Sequence, residues 1–265
     1  MIENFVAIIL VVGLVTSGIK IKFDRFFTIL MLIFVAGEGI GEAINIFLWV
    51  IMLGALMVIL DNKDKIAQLP KEIKIKLFTV IPVFTFIASY IGSWVFHHVS
   101  KNILIISLGI LAILFGLRLV FIHFKPHELN HKDEHPGIAK FCSLFGPWLS
   151  GFSIGFIGTS LKPLKMPFAI KIGKMNAAKV YLGNVITTFF ASSFSIIWHH
   201  TLLTPNNPHV FYEEMVYGMA IWTGIHYVAE LGNLVFQKKW EKTFQIIIGI
   251  ALIIVSIKIF GLIHA

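Results

Sequence analysis

The sequence predicts an all-α polytopic membrane protein made of two inverted repeats, each a re-entrant helical hairpin followed by three transmembrane helices. Three observations carry that expectation: a composition too apolar for a water-soluble chain, apolar runs long enough to cross a bilayer, and recurrence of the pattern 140 residues later.

Of the 265 residues, 57% are hydrophobic and 14% charged, whereas a soluble domain carries about 25% charged residues to cover its surface. The 22 Lys and Arg outnumber the 14 Asp and Glu. They fall in short groups between apolar runs, which suits membrane orientation and excludes the continuous basic stripe of a nucleic-acid binder. The lone Cys142 rules out an intramolecular disulfide and a cysteine-based zinc site. The opening segment MIENFVAIILVVGLVTSG has no basic n-region and no small-x-small cleavage pattern, so it is expected to be retained as structure.

Six runs have the length of about 20 residues that a crossing requires: 39–60, 74–96, 102–122, 176–199, 213–236 and 243–263. Two other regions are interrupted. Residues 4–18 and 26–36 flank IKIKFDR, and residues 138–157 and 166–173 flank TSLKPLK. Sliding the chain by 140 residues lays Gly92, Val95, Phe96, Ile106, Gly109, Ile110 and Ile113 on Gly232, Val235, Phe236, Ile246, Gly249, Ile250 and Ile253. The same offset brings Gly18, Lys22 and Arg25 onto Gly158, Lys162 and Lys165. The repeats are therefore expected at 1–122 and 138–265, joined by a linker over 123–137.

Lysine placement indicates inversion. Loop 61–77 holds Lys63, Lys65, Lys71, Lys74 and Lys76, while its counterpart 200–215 holds none. The next pair reverses the bias, with Lys101 alone in 97–101 against Lys238, Lys239 and Lys242 in 237–242. Because basic loops collect on the cytoplasmic side, equivalent loops lie on opposite faces. Inversion needs an odd number of crossings per half, so each interrupted element must enter and leave on one side. The linker is then cytoplasmic and the protein a multi-pass protein of the plasma or inner membrane.

Each hairpin tip carries basic residues inside an apolar region, where a charge costs several kcal/mol unless it is paired or wet. Lys20, Lys22, Arg25, Lys162 and Lys165 are candidate substrate-binding cations, with Gly158 permitting close backbone approach and Thr159 and Ser160 as hydroxyl donors. The returning arm of each hairpin would add exposed amides and a positive dipole end. Asp24, Glu42, His226 and Glu230 are candidates for proton coupling; Glu42 lies one helical turn after Glu38, and Glu230 one after His226. His123, His127, His131 and His135 recur at i+4, but Pro126 and the charged surroundings favour a solvated loop, so no metal or cofactor is expected. His97, His98, His199 and His200 fall at membrane edges and need no ligand there. No nucleophile motif or acid pair suggests an enzyme.

Two stretches, ASYIGSWVFHHVSKNILIISLGILAILFGLRLV and AELGNLVFQKKWEKTFQIIIGIALIIVSIKIF, resemble the closing helix, basic turn and final helix of the TauE/SafE family of membrane permeases, the sulfite exporters. LSGFSIGFIGTSLKPLKMP is similar to the family's Gly-rich motif and following proline, with Gly158, Thr159, Ser160 and Leu161 where members carry a run of glycines. The resemblance implies transport of a small sulfur-containing or organic acid anion by alternating access, here between the two basic tips, with the bilayer as the other partner. A polyprenyl-phosphate carrier or membrane enzyme is the alternative that two basic hairpins also allow.

Overall fold

The computed structural model describes residues 2–19, 26–122, 134–202, 208–235 and 240–261. In these the chain is helical, with no strand among the described residues. The first interrupted element is α1 (Ile2–Ile19) and α2 (Phe27–Met31), the latter widening into a π turn over Leu32–Ala36. Then come α3 (Ile40–Asp61), α4 (Lys63–Ala67), and α5 (Lys71–Ile75), which runs through a π turn at Lys76–Val80 into α6 (Ile81–His98). The order continues with α7 (Lys101–Phe121), α8 (Pro136–Ile157), α9 (Lys162–Pro167) and a π turn at Phe168–Ile172, α10 (Ala177–Leu202), α11 (Pro208–Val235) and α12 (Glu241–Gly261).

Among the described residues, five helical stretches are long and apolar enough to cross a membrane: α3, Lys71–His98, α7, α10 and α12. The expected run 213–236 is α11, whose 28 residues suffice in length. Glu213, Glu214, His226 and Glu230, with its glycines and aromatics, dilute its apolar content below that of the five. Outward faces of the spanning helices are apolar as well as inward ones: Val83, Ile87 and Trp94 on α6 and Ile254 and Ile257 on α12 are exposed. In a lipid solvent that pattern costs nothing. Helix α8 begins at Pro136, two residues inside the expected linker, because proline suits a first helical turn whose N–H is unpaired anyway.

The chain divides into two compact units that interleave the sequence halves. Residues 1–51, 98–122 and 205–265 form one. Within it α1 and α11 run parallel: Phe5 stacks on Tyr217 at 5.0 Å, and a methyl built on Gly13 or Gly224 would lie 2.5 Å from Val228 or 2.7 Å from Ile9. Helices α7 and α12 run antiparallel and close, with Gly116 and Gly249 against each other's carbonyls. A methyl on Gly109 would come 2.8 Å from the Phe260 ring, and one on Gly249 would come 2.8 Å from Val120. At the 140-residue offset Gly109 corresponds to Gly249 and Val120 to Phe260, so each contact is the other with the halves exchanged.

Residues 52–97 and 123–204 form the other unit. Here α8 lies against α6, with Gly151 over Thr85 and Ala88, Gly155 over Ser89 and Ser93, and Gly92 over Phe152. The numbers rise together, so this pair is parallel, as is α1 with α11. Helix α8 also runs parallel to α10: Lys179 pairs with Glu134 at 3.2 Å near their starts, and His199 meets Gly155 near their ends. The interrupted element closes on itself, because the His135 N–H donates to the Gly173 carbonyl at 3.1 Å. It therefore starts and finishes side by side.

Candidate functional site

Helix α8 stops where Gly158 adopts φ 69°, its N–H bonded back to the Ile154 carbonyl at 2.9 Å. That left-handed cap excludes an ordinary side chain without strain. The chain stays non-helical to Leu161 and restarts at Lys162, with Pro163 in the first turn. Helix α9 is only six residues long before the π turn, so its dipole is short. The restart thus offers less of a positive helix end than the sequence suggested.

Lys162 is 6% exposed, and its Nζ lies 4.4 Å over the ring of Tyr181 from α10. Ser160 is buried, and its Oγ accepts the Lys162 N–H at 3.1 Å. Thr159 is fully buried, and its Oγ1 has no hydrogen-bond partner among the described residues. An unmet buried hydroxyl costs about 1–3 kcal/mol. Lys165 does something else: its Nζ donates to the Gly146 carbonyl at 3.0 Å and to Ser150 Oγ, tying the return arm to α8. Of the five predicted cations, the structure places Lys162 and Lys165 at one tip with Gly158, Thr159 and Ser160. Lys20, Lys22, Asp24 and Arg25 lie outside the described residues.

The proton-coupling candidates are dispersed. Glu42 is exposed at the start of α3 and accepts the Gly39 N–H at 3.1 Å. Glu38 precedes that helix, and burial, then the Glu42 charge and hydrogen bond, hold its carboxyl above the ordinary value of 4.5. His226 is half-buried and stacked on Trp222 at 5.5 Å, while Glu230 one turn on is exposed. His123, His127 and His131 of the linker lie outside the described residues. Among the described residues no three His, Cys, Asp or Glu gather as metal ligands.

Three residues escaped the sequence reading. Tyr181 gave no signal beyond its place in an apolar run. Glu214, in the run YEEM at a predicted membrane edge, is buried and accepts the Asn45 Nδ2 hydrogen at 2.9 Å, joining α11 to α3. His199 was read as interfacial but is fully buried, held between the Gly155 carbonyl and Phe96. Sequence adjacency in WHH hides that burial, since only the approach of α6 and α8 creates it.

A family model described as sulfite exporter TauE/SafE matches residues 5–259. No curated protein and no solved structure matches the chain.

Proposed function

The chain belongs to the sulfite exporter TauE/SafE family and is therefore a multi-pass membrane transporter, not an enzyme, and we propose that it carries a small sulfur oxyanion, organosulfur anion or organic acid anion through the second hairpin tip. The observation that carries this reading is that the same tip holds the buried Lys162 and the buried Thr159, whose hydroxyl has no hydrogen-bond partner among the described residues. A buried cation and a waiting donor together suit an oxygen-rich anion, which supplies both charge and acceptors. About 16 Å of helical rise separates Lys162 from Gly173, roughly half the hydrocarbon core, so the tip charge falls near mid-membrane. In this reading Lys20, Lys22 and Arg25 are the corresponding cations of the first repeat.

Alternating access follows from inverted repeats in this reading. The antiparallel α7 and α12, with their exchanged Gly109–Phe260 and Gly249–Val120 contacts, support inversion because parallel repeats would align those helices. The hydrogen bond from His135 to Gly173 supports a hairpin that makes no net crossing. The protein resides in the plasma or inner membrane with its linker cytoplasmic.

Sulfite uptake into proteoliposomes tests the site. Lys162→Ala is expected to abolish uptake while the protein still elutes as a folded species. Uptake that survives the change would overturn the site.

A further inference from the structure

Gly37, at φ 77°, turns the chain from the π turn after α2 towards the start of α3. Glu38 follows at that turn, and Lys101 is the first residue of α7. Both line one cavity of about 240 Å³, whose walls all come from the unit built of residues 1–51, 98–122 and 205–265. Below these two charges the walls are apolar. Leu30 and Ile33 come from the second arm of the first interrupted element. Ile105 and Leu108 come from α7, where spacings of four and three after Lys101 keep all three on one face. From Lys101 to Leu108 the helix rises about 10 Å, against about 15 Å for one leaflet's share of the hydrocarbon core. The cavity thus has a charged rim at a membrane edge and an apolar interior reaching inward.

The rim charges do not neutralise each other. The influences on the Glu38 carboxyl are burial and Glu42, and Lys101 is not among them. Glu38 and Glu42 share a hydrogen bond, and even with one proton between them the two carboxyls keep one negative charge. The interior offers water no partners, so it suits an alkyl chain. Its volume equals about eight waters, room for the upper part of one acyl chain. An occupant must therefore carry a cation, an anion and a chain together. We propose that the cavity binds phosphatidylethanolamine from the leaflet that meets the starts of α3 and α7. Its phosphate accepts from the Lys101 ammonium, its primary ammonium donates to the Glu38 carboxyl, and one chain enters between Ile33, Ile105 and Leu108. Phosphatidylcholine has no N–H to donate, and phosphatidylglycerol has no cation. The bound lipid braces the second arm against α7, independently of the anion tip.

The test is native mass spectrometry of the detergent-purified full chain titrated with these three lipids, all with identical acyl chains. Wild type is expected to bind phosphatidylethanolamine about tenfold more tightly than the other two, the low end of what one hydrogen bond to a charged group contributes. Glu38→Gln is expected to close the gap to phosphatidylcholine, and Lys101→Met to weaken all three lipids. Lys101 is exposed and Glu38 half-buried, so neither change empties a packed core. Equal affinities in wild type overturn the proposal. So does wild-type affinity for phosphatidylethanolamine in either variant, which lets one variant decide if the other does not fold. Soluble phosphoethanolamine is the chain-free control, and binding as tight as that of the lipid would make the ligand a small zwitterion instead.

Discussion

Lys162 holds its ammonium over the face of Tyr181, joining the restart of the second hairpin to the first turns of α10. The ring stabilises a buried cation by about 0.5–2 kcal/mol without neutralising it, as a carboxylate would. Tyr181→Phe keeps the face and is expected to leave sulfite uptake close to wild type, whereas Tyr181→Leu removes it and weakens the apparent affinity. Equal losses in both variants would point to the phenolic hydroxyl.

Thr159 is expected to show opposite effects on stability and function. Thr159→Val preserves shape and deletes the unmet hydroxyl. It should raise unfolding stability in detergent by up to about 1–3 kcal/mol while weakening sulfite binding. Reduced stability would show that the hydroxyl already serves the fold.

Lys165 should behave unlike Lys162. Its hydrogen bonds to Gly146 and Ser150 fasten the two arms of the hairpin, and bonds from a charged donor contribute about 1.5–3 kcal/mol. Lys165→Met is expected to lower the thermal midpoint more than Lys162→Met does. The reverse order in a melting assay would exchange the two roles.

Glu38 gives a pH signature. Its carboxyl binds a proton more tightly in the folded chain than the ordinary value of 4.5 implies, through burial first and Glu42 second. The stabilising effect of that proton is fully present below the ordinary value and is lost as pH rises through the higher folded one. Stability should therefore decline with pH across that window, and Glu38→Gln should flatten the decline. Thermal melts in detergent from acid to neutral pH measure both slopes.

Inversion is tested chemically. Lys63→Cys and Asn207→Cys, each in a Cys142→Ala background, are expected to react with an impermeant thiol reagent from opposite sides. Labelling from the same side would leave the halves parallel.

Much of this was legible in the residues. Apolar runs of bilayer length have few other homes, so the spanning helices followed from hydropathy, and the basic stretch TSLKPLK marked the break between α8 and α9. The pairing of Gly109 with Gly249 by offset anticipated a contact pattern, since small residues at equivalent positions allow helices to approach. The run 213–236 was harder to read, because Glu214 looks interfacial in sequence and is buried only once Asn45 faces it.

The sequence by itself determined the all-α membrane class and the position of the break between α8 and α9, because these depend on composition and on local periodicity. Only the tertiary structure decided that Lys162 lies over an aromatic face while Lys165 ties the hairpin arms, since that depends on Gly146, Ser150 and Tyr181 arriving from other helices. It also decided that His199 is buried rather than interfacial. Burial is a property of neighbours distant in the chain, and no residue announces its neighbours.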